Sequence, residues 1–224
     1  FEESKFRSPR PSARNEEVSL TFPKYQFDSK PMSLYWYART ATGMPLLQFL
    51  AYYQVSEFYF PVFAEKATRE VGDRIIKDPT IHSDRDASIT RLLNALKPLL
   101  SKGGYGDEKA ALQATMRQCI SEHELKEFFT EDTERLEFFK SKSNSISSKK
   151  ISVEAKDADL MSQTGERIYD IRCKIVHTKA AESAGQGDIL LPFSREAQQL
   201  GFDIELVQFV ARKVLVASGT SISL

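Results

Sequence analysis

The sequence predicts an all-α protein, an up-down bundle of about six or seven helices that follows an irregular N-terminal arm. Three observations predict this class. Apolar residues recur at helical spacing in most segments after Pro45, and strong helix formers fill the segments between residues 108 and 140. Ser, Asp and Gly residues also stand where those helices would begin and end. No internal repeat of the kind that builds a solenoid is evident.

Composition places the chain among soluble globular proteins and limits its partners. Its 224 residues suit one domain, and 41% are hydrophobic and 28% charged. Lys plus Arg and Asp plus Glu both number 31, so the zero net charge excludes attraction of a polyanion by the protein as a whole. The two cysteines, Cys119 and Cys173, fall in helical segments. We therefore expect a reducing cytoplasm, no disulfide, no metal site and no cofactor.

No apolar run reaches the ~18–20 residues of a membrane-spanning helix, and the N-terminus lacks the layout of a signal peptide. We expect a cytoplasmic protein with no membrane partner. The chain begins at Phe1 without a methionine, which fits a piece of a larger parent chain.

Residues 1–40 are assigned to the arm. This region contains four of the nine prolines, and its alternating stretch Val18–Phe22 is typical of a short strand. Residues 41–224 form the predicted helical domain. A long helix begins at Pro45 and is expected to kink near Pro61. After a polar loop, Ser88 would cap a helix that ends before the run "SKGGYGD".

The second half of the domain alternates helices with one long loop. The segments "EKAALQATMRQCI" and "SEHELKEFFTEDTERLEFFKSK" predict helices. Residues 141–156 are rich in Ser and Lys and predict an exposed, mobile loop. A helix over residues 157–178 follows, then a short helix capped by Ser194. Asp203 would cap a last helix that Gly219 closes.

The helix over residues 157–178 has two apolar stripes. On a helical wheel Ile168, Ile171 and Ile175 share a ~60° arc, which we expect to face the core. Tyr169, Cys173 and Val176 form a second stripe ~120–130° away. A helix with two apolar faces usually has two neighbours. We therefore interpret the second stripe as the seam of a homodimer.

Arg172 and His177 border the second stripe, ~140° apart on the wheel and ~7.5 Å apart along the axis. In a two-fold dimer, two arginines and two histidines would converge on one composite cleft. A simpler interpretation is that His177 favours the helix dipole near a C-terminus, while Arg172 forms a surface ion pair with Asp170 or Glu166. Spacing alone does not separate these interpretations.

A cleft of guanidinium and imidazole groups suits an RNA phosphodiester. Histidine can move protons near neutral pH, and arginine can stabilise charge on phosphate. Lys174, Lys179, Lys149 and Lys150 would add positive charge for RNA. Tyr53 or Glu57 would reach the same cleft if the Pro45 helix lies beside this one. His82 and His123 lie in polar segments and are expected to be solvated.

The segment "IRCKIVH" resembles the R-x4-H motif of the HEPN superfamily, and "AYYQVSEFYFP" looks like an early helix of HEPN domains in prokaryotic defence proteins. The resemblance covers roughly residues 43–217, but only the part around Arg172 and His177 is specific. Two positions depart from the family pattern. Cys173 stands where Asn, Asp or His is common, and Lys179 stands where some members have a tyrosine.

The resemblance implies a HEPN-like bundle and a homodimeric, metal-independent endoribonuclease, either a toxin or an antiviral defence effector. His177 would be the general acid or base and Arg172 the phosphate clamp. Two other hypotheses stay open. One is a non-catalytic HEPN module that binds RNA or mediates dimerisation in a larger assembly with a partner protein, for which Cys173 is the distinguishing feature. The other is a helical interaction domain without a nucleic-acid role.

Overall fold

The computed structural model of the protein describes residues 24–77, 90, 107–141, 146–155, 158–176 and 190–222. Within these residues it contains nine helices and two short strands. The helices are α1 (Ser29–Thr40), α2 (Pro45–Phe58), α3 (Phe60–Ile76), α4 (Glu108–Cys119), α5 (Glu122–Thr130), α6 (Thr133–Lys140), α7 (Leu160–Val176), α8 (Arg195–Gln198) and α9 (Gly201–Ser218). The strands β1 (Tyr25–Gln26) and β2 (Thr220–Ser221) pair antiparallel. The expectation of an all-α protein is confirmed.

Side-chain caps define several helix starts. The side chains of Asp107, Asp132 and Ser194 each accept a hydrogen bond from a backbone N–H in the first turn of α4, α6 and α8. Ser121 and Glu124 form a reciprocal capping box at the start of α5. The expected cap at Ser194 and the expected end of the last helix at Gly219 are confirmed.

The kink expected near Pro61 is a break between two helices. α2 ends at Phe58 and α3 begins at Phe60, with Tyr59 between them. Pro61 lies in the first turn of α3, where its missing N–H would have no partner within the helix. The break lets the chain turn without losing a hydrogen bond inside either helix.

α2 and α9 form the centre of the bundle. α2 packs against α1 on one side and α9 on another, and α4 lies against both α3 and α7. Large apolar side chains of the two central helices are almost fully buried: Phe49, Tyr52, Tyr53, Val55, Leu206, Val207, Val210 and Val214. This burial supplies the main driving force for the fold.

Three sequence expectations are corrected by the fold. The arm was expected to extend to residue 40, but residues 29–40 form α1, capped by Asp28. Pro31 lies in the first turn of that helix, so this proline starts a helix rather than marking an irregular segment. Asp203 does not cap the last helix, because α9 begins at Gly201 and Asp203 is buried within its first turn.

The third correction concerns the Ser- and Lys-rich loop. Its described part is not exposed throughout, because Ile146, Ser147, Ile151 and Val153 are buried. The sequence favoured a free loop because the apolar residues are few and isolated. Each of them nevertheless fills a place in the core.

Several expectations lie outside the described residues. They concern the strand Val18–Phe22, the cap at Ser88 and most of its helix, His82, His177 and Lys179. Among the residues that are described, no helix combines the length and the hydropathy that crossing a membrane requires.

Candidate functional site

α7 presents three faces, one more than its sequence indicated. Ile168 and Ile171 are buried in the core, as expected for the first stripe. In the second stripe Tyr169 and Cys173 are partly buried and Val176 is 44% exposed. The described part of the protein therefore leaves this second face partly open, and its role as a dimer seam remains a prediction.

The third face of α7 holds the segment 146–152. Lys174 Nζ donates to the carbonyl of Ile146 at 2.6 Å, and Ser147 Oγ donates to Asp170 at 2.6 Å. Further along, Arg167 donates to the carbonyl of Lys149 at 2.7 Å, and the Ser152 N–H donates to Gln163 at 2.7 Å. The segment thus runs antiparallel to α7. Polar residues of α7 at helical spacing fix it in place.

Arg172 lies where α2, α4 and α7 meet. Its Nη2 is 2.9 Å from Glu108 Oε1, and the Tyr53 hydroxyl donates to the same oxygen at 2.7 Å. The guanidinium carbon lies 5.8 Å from the centroid of the Tyr53 ring. The side chains of Arg172 and Glu108 are 17% and 22% exposed. The arginine is therefore oriented from two sides and stays partly exposed.

The simpler interpretation of Arg172 as a surface ion pair named the wrong partners. Asp170 faces the segment 146–152, and Glu166 lies near two lysines. Glu108, the actual partner, is the first residue of α4. The sequence marks it only as an acid in a first helical turn, where the helix dipole favours negative charge.

A close approach of α4 and α7 makes the Arg172 contact possible. A Cβ at Gly165 would lie 2.6 Å from Cγ of Gln113, so glycine allows the two helices to approach this closely. Gln113 Nε2 also donates to the carbonyl of Ser162 at 3.1 Å. These contacts fix the start of α4, and with it Glu108, beside Arg172.

Glu57 brings a second carboxylate to Arg172, one turn after Tyr53 on α2. Burial raises the pKa of Glu57, the nearby charge of Glu108 raises it further, and Arg172 opposes both effects. Burial and the bond to Glu108 also raise the pKa of Tyr53 above its usual range, so its hydroxyl keeps its proton. Tyr53 and Glu57 thus both reach the surroundings of Arg172, as expected if α2 lies beside α7.

We define the Arg172 cluster as Tyr53, Glu57, Glu108 and Arg172. With both carboxylates ionised, two negative charges face one positive charge. A phosphate would therefore need further positive charge to bind here. Among the described residues, no group of three or more metal-ligating side chains is found.

The lysines expected to bind RNA lie on different faces. Lys174 is engaged with the segment 146–152 and lies ~160° from Arg172 on the helical wheel. Lys150 is exposed, and Lys149 Nζ is 3.9 Å from Glu166. Lys109 of α4, which the sequence did not single out, is 3.6 Å from the same carboxylate. Lys109 and Lys149 thus flank the open face of α7 from opposite sides.

Cys173 stands where the resembled family commonly has Asn, Asp or His, and it lies one helical turn after Tyr169 on α7. A hydrogen bond with Cys173, followed by burial, raises the pKa of Tyr169. Both cysteines of the chain, Cys119 and Cys173, are free thiols. Burial raises the pKa of Cys119 to about 12, so that thiol is unreactive near neutral pH.

The chain matches no protein-family model, no curated protein and no solved structure in the three comparisons made. A functional assignment therefore depends on its own residues and their arrangement.

Proposed function

We propose that the protein is a metal-independent endoribonuclease of the HEPN type, a homodimer that acts as a toxin or an antiviral defence effector. The observation that carries the proposal is the placement of Arg172. Glu108 and Tyr53 orient this arginine at the border of the open α7 face, and the motif histidine follows the end of α7 directly in sequence. A preorganised cation beside a proton carrier is what phosphodiester cleavage needs.

The reaction would begin at the ribose 2′-hydroxyl. In one subunit His177 takes the proton from that hydroxyl, whose oxygen then attacks phosphorus. The bond from phosphorus to the 5′ oxygen breaks, and the leaving oxygen receives a proton from the second His177 of the dimer. Arg172 stabilises the extra negative charge on the phosphoryl oxygens. The products are a 2′,3′-cyclic phosphate and a 5′-hydroxyl end.

The partly open second face of α7 supports a site shared between two subunits. A two-fold axis at the seam Tyr169, Cys173 and Val176 would add a second Arg172 and a second His177 to the same cleft. Val176, at 44% exposure, is the seam residue most open to such contact.

Cleavage of RNA in EDTA tests the proposal directly. Purified protein should cut structured or single-stranded RNA in EDTA, and Arg172→Ala and His177→Ala should each lose the activity. Arg69→Ala is a matched control, because Arg69 is a surface arginine of α3 paired only locally with Glu65. Activity that disappears in EDTA, or that survives loss of Arg172, would contradict the proposal.

A charge in the seam tests the shared site. Val176→Glu should give a monomer with normal helicity and no cleavage, because each subunit alone lacks half of the cleft. A fully active monomer would show that the site is complete within one chain.

A second candidate is a non-catalytic HEPN module that binds RNA or mediates dimerisation within a larger assembly. Cys173 favours it, because a thiol stands where the family commonly has a polar residue. Binding of RNA without cleavage in the same assay would support this candidate. Cys173→Asn would then be expected to raise cleavage.

A further inference from the structure

The outward face of α1 has a distinctive composition. After the first residue, its exposed side chains are two cations, two aromatic rings and two hydroxyls: Lys30, Arg39, Trp36, Tyr37, Ser33 and Thr40. They span about half of the helix circumference. Trp36 and Tyr37 are 56% and 51% exposed. α1 contains no acidic residue, and its only acidic neighbour in the adjoining sequence is the cap Asp28.

The exposed Trp36 ring packs against a neighbouring aromatic ring. The Trp36 ring meets the Tyr35 ring edge to face, with centroids 6.4 Å apart. Tyr35 meets Tyr52 in the same way at 5.3 Å, and Tyr52 is buried in the core of the bundle. Tyr35 thus links the exposed indole to the core, and this contact favours one orientation of the indole for a flat ligand that stacks on it.

The positively charged side chain of Arg39 lies beside the Trp36 indole. The guanidinium carbon of Arg39 lies 5.7 Å from the centroid of the Trp36 ring. Exposed aromatic rings with adjacent cations are the combination by which proteins hold unpaired bases and their phosphates.

We propose that the outward face of α1 binds single-stranded nucleic acid. Bases stack on Trp36 and Tyr37, and Arg39 and Lys30 contact the phosphates. The hydroxyls of Ser33 and Thr40 donate to carbonyls of α1 itself and accept from base N–H groups. Charge complementarity favours nucleic acid over a protein as the ligand, because both charged residues of α1, Lys30 and Arg39, are positive.

This surface is separate from the Arg172 cluster. Tyr52 of α2 faces α1, whereas the next residue, Tyr53, faces Glu108 and Arg172. The proposed binding therefore does not depend on cleavage at Arg172. It would hold equally for the enzyme and for a non-catalytic module.

The sequence offers a built-in reporter, because Trp36 is its only tryptophan. Oligouridylate of about 12 nucleotides, within the site sizes of single-strand binding grooves, should quench the tryptophan fluorescence of the full chain to saturation. Rising salt should weaken the binding. The same titration with oligothymidylate, which lacks the 2′-hydroxyl that the proposed cleavage needs, should also quench the fluorescence to saturation. That result would separate this proposal from the proposed function.

Variants define the contribution of each group, measured by anisotropy of a labelled oligouridylate. Trp36→Leu should weaken binding about 5- to 100-fold, the effect of losing one stacked base. Arg39→Gln should weaken it less and lower the salt slope by about one. Arg69→Gln, which removes the same charge from α3, should bind like the wild type. Circular dichroism and Tm should be unchanged in all three.

Three results would overturn the proposal. The first is binding without quenching, and the second is wild-type affinity in Trp36→Leu. The third is a change of sedimentation mass in Trp36→Leu, which would identify the face as a protein contact. Saturating quenching that Trp36→Leu weakens, at unchanged mass, would support it.

Discussion

Two arginines on α7, Arg167 and Arg172, each bind a carboxylate but in opposite surroundings. Arg167 is 0% exposed and its partner Asp203 is 1% exposed. Its guanidinium donates to both carboxylate oxygens, at 2.6 and 3.0 Å, and to the Lys149 carbonyl. Arg172 is 17% exposed and shares Glu108 with a tyrosine.

The aromatic neighbours of the two arginines complete the contrast. Rings of Phe138 and Phe139 lie 5.3 and 5.0 Å from the Arg167 guanidinium, which joins α6, α7, α9 and the segment 146–152. Arg172 lies beside the Tyr53 ring and keeps 17% of its side chain exposed. An arginine that the fold closes off from solvent is structural. One that is oriented but accessible can act on a ligand.

The largest effect on stability is expected from breaking the buried ion pair of Arg167 and Asp203. Arg167→Met would leave the Asp203 carboxylate buried without its partner, which costs about 3–5 kcal/mol. For a chain of this size, Tm would fall by roughly 6–20 °C. Calorimetry measures this directly. The double variant Arg167→Met with Asp203→Leu should recover much of the loss, and an unchanged Tm in Arg167→Met would contradict the structural role.

The next effect concerns the positioning of Arg172. Glu108→Gln removes the charge that orients the guanidinium, so kcat for RNA cleavage should fall about 10- to 100-fold while KM changes little. Glu65→Gln on α3 serves as the matched control. Glu108→Asp, which restores the charge, should recover part of the rate. If Glu108→Gln changes only Tm, Glu108 supports the fold rather than the site.

A smaller effect is expected from Glu57, whose pKa is raised above its ordinary value of 4.5, chiefly by burial. Above pH 4.5 the folded state binds more protons at this site than the unfolded state, so this group lowers stability as pH rises. Glu57→Gln should therefore stabilise the protein at pH 7, by less than about 1 kcal/mol because solvent screens the partly exposed group. Urea unfolding at pH 7 and pH 4 checks this, and the gain should disappear at pH 4.

The smallest effect on stability is expected at a partly exposed pair, Glu124 and Lys213. Hydrogen bonds from Lys213 and then from Ser121 lower the pKa of Glu124 to about 2. The resulting stability is present above pH 4.5 and is lost as pH falls toward 2. Glu124→Gln should cost about 0.5 kcal/mol or less at pH 7, since the carboxylate is solvent-screened. A urea titration that shows the same cost at pH 3 as at pH 7 would contradict this assignment.

Local patterns predicted much of the fold. Caps such as Ser194, the proline at the start of α2 and the apolar spacing on α7 are short-range signals, and the helices follow them. The helix α1 escaped prediction because aromatic residues lie on both its buried and its exposed face, which obscures its apolar stripe. The pair Arg167 and Asp203 escaped because 36 residues separate them in sequence.

The candidate site was predictable only in part. The wheel identified Arg172 as bordering an open stripe, and α2 was identified as its possible neighbour. Glu108 was not, because its contact depends on the approach of α4 to α7 at Gly165. Tertiary packing determines such contacts, and no spacing within one helix encodes them.

The chemical nature of the cut RNA ends tests the central claim most directly. The wild-type protein in EDTA should leave 2′,3′-cyclic phosphate and 5′-hydroxyl ends, and folded Arg172→Ala protein should leave none. RNA that stays intact with the wild-type protein, or that is cut to 3′-hydroxyl ends, would contradict the claim that Arg172 and His177 form a ribonuclease site.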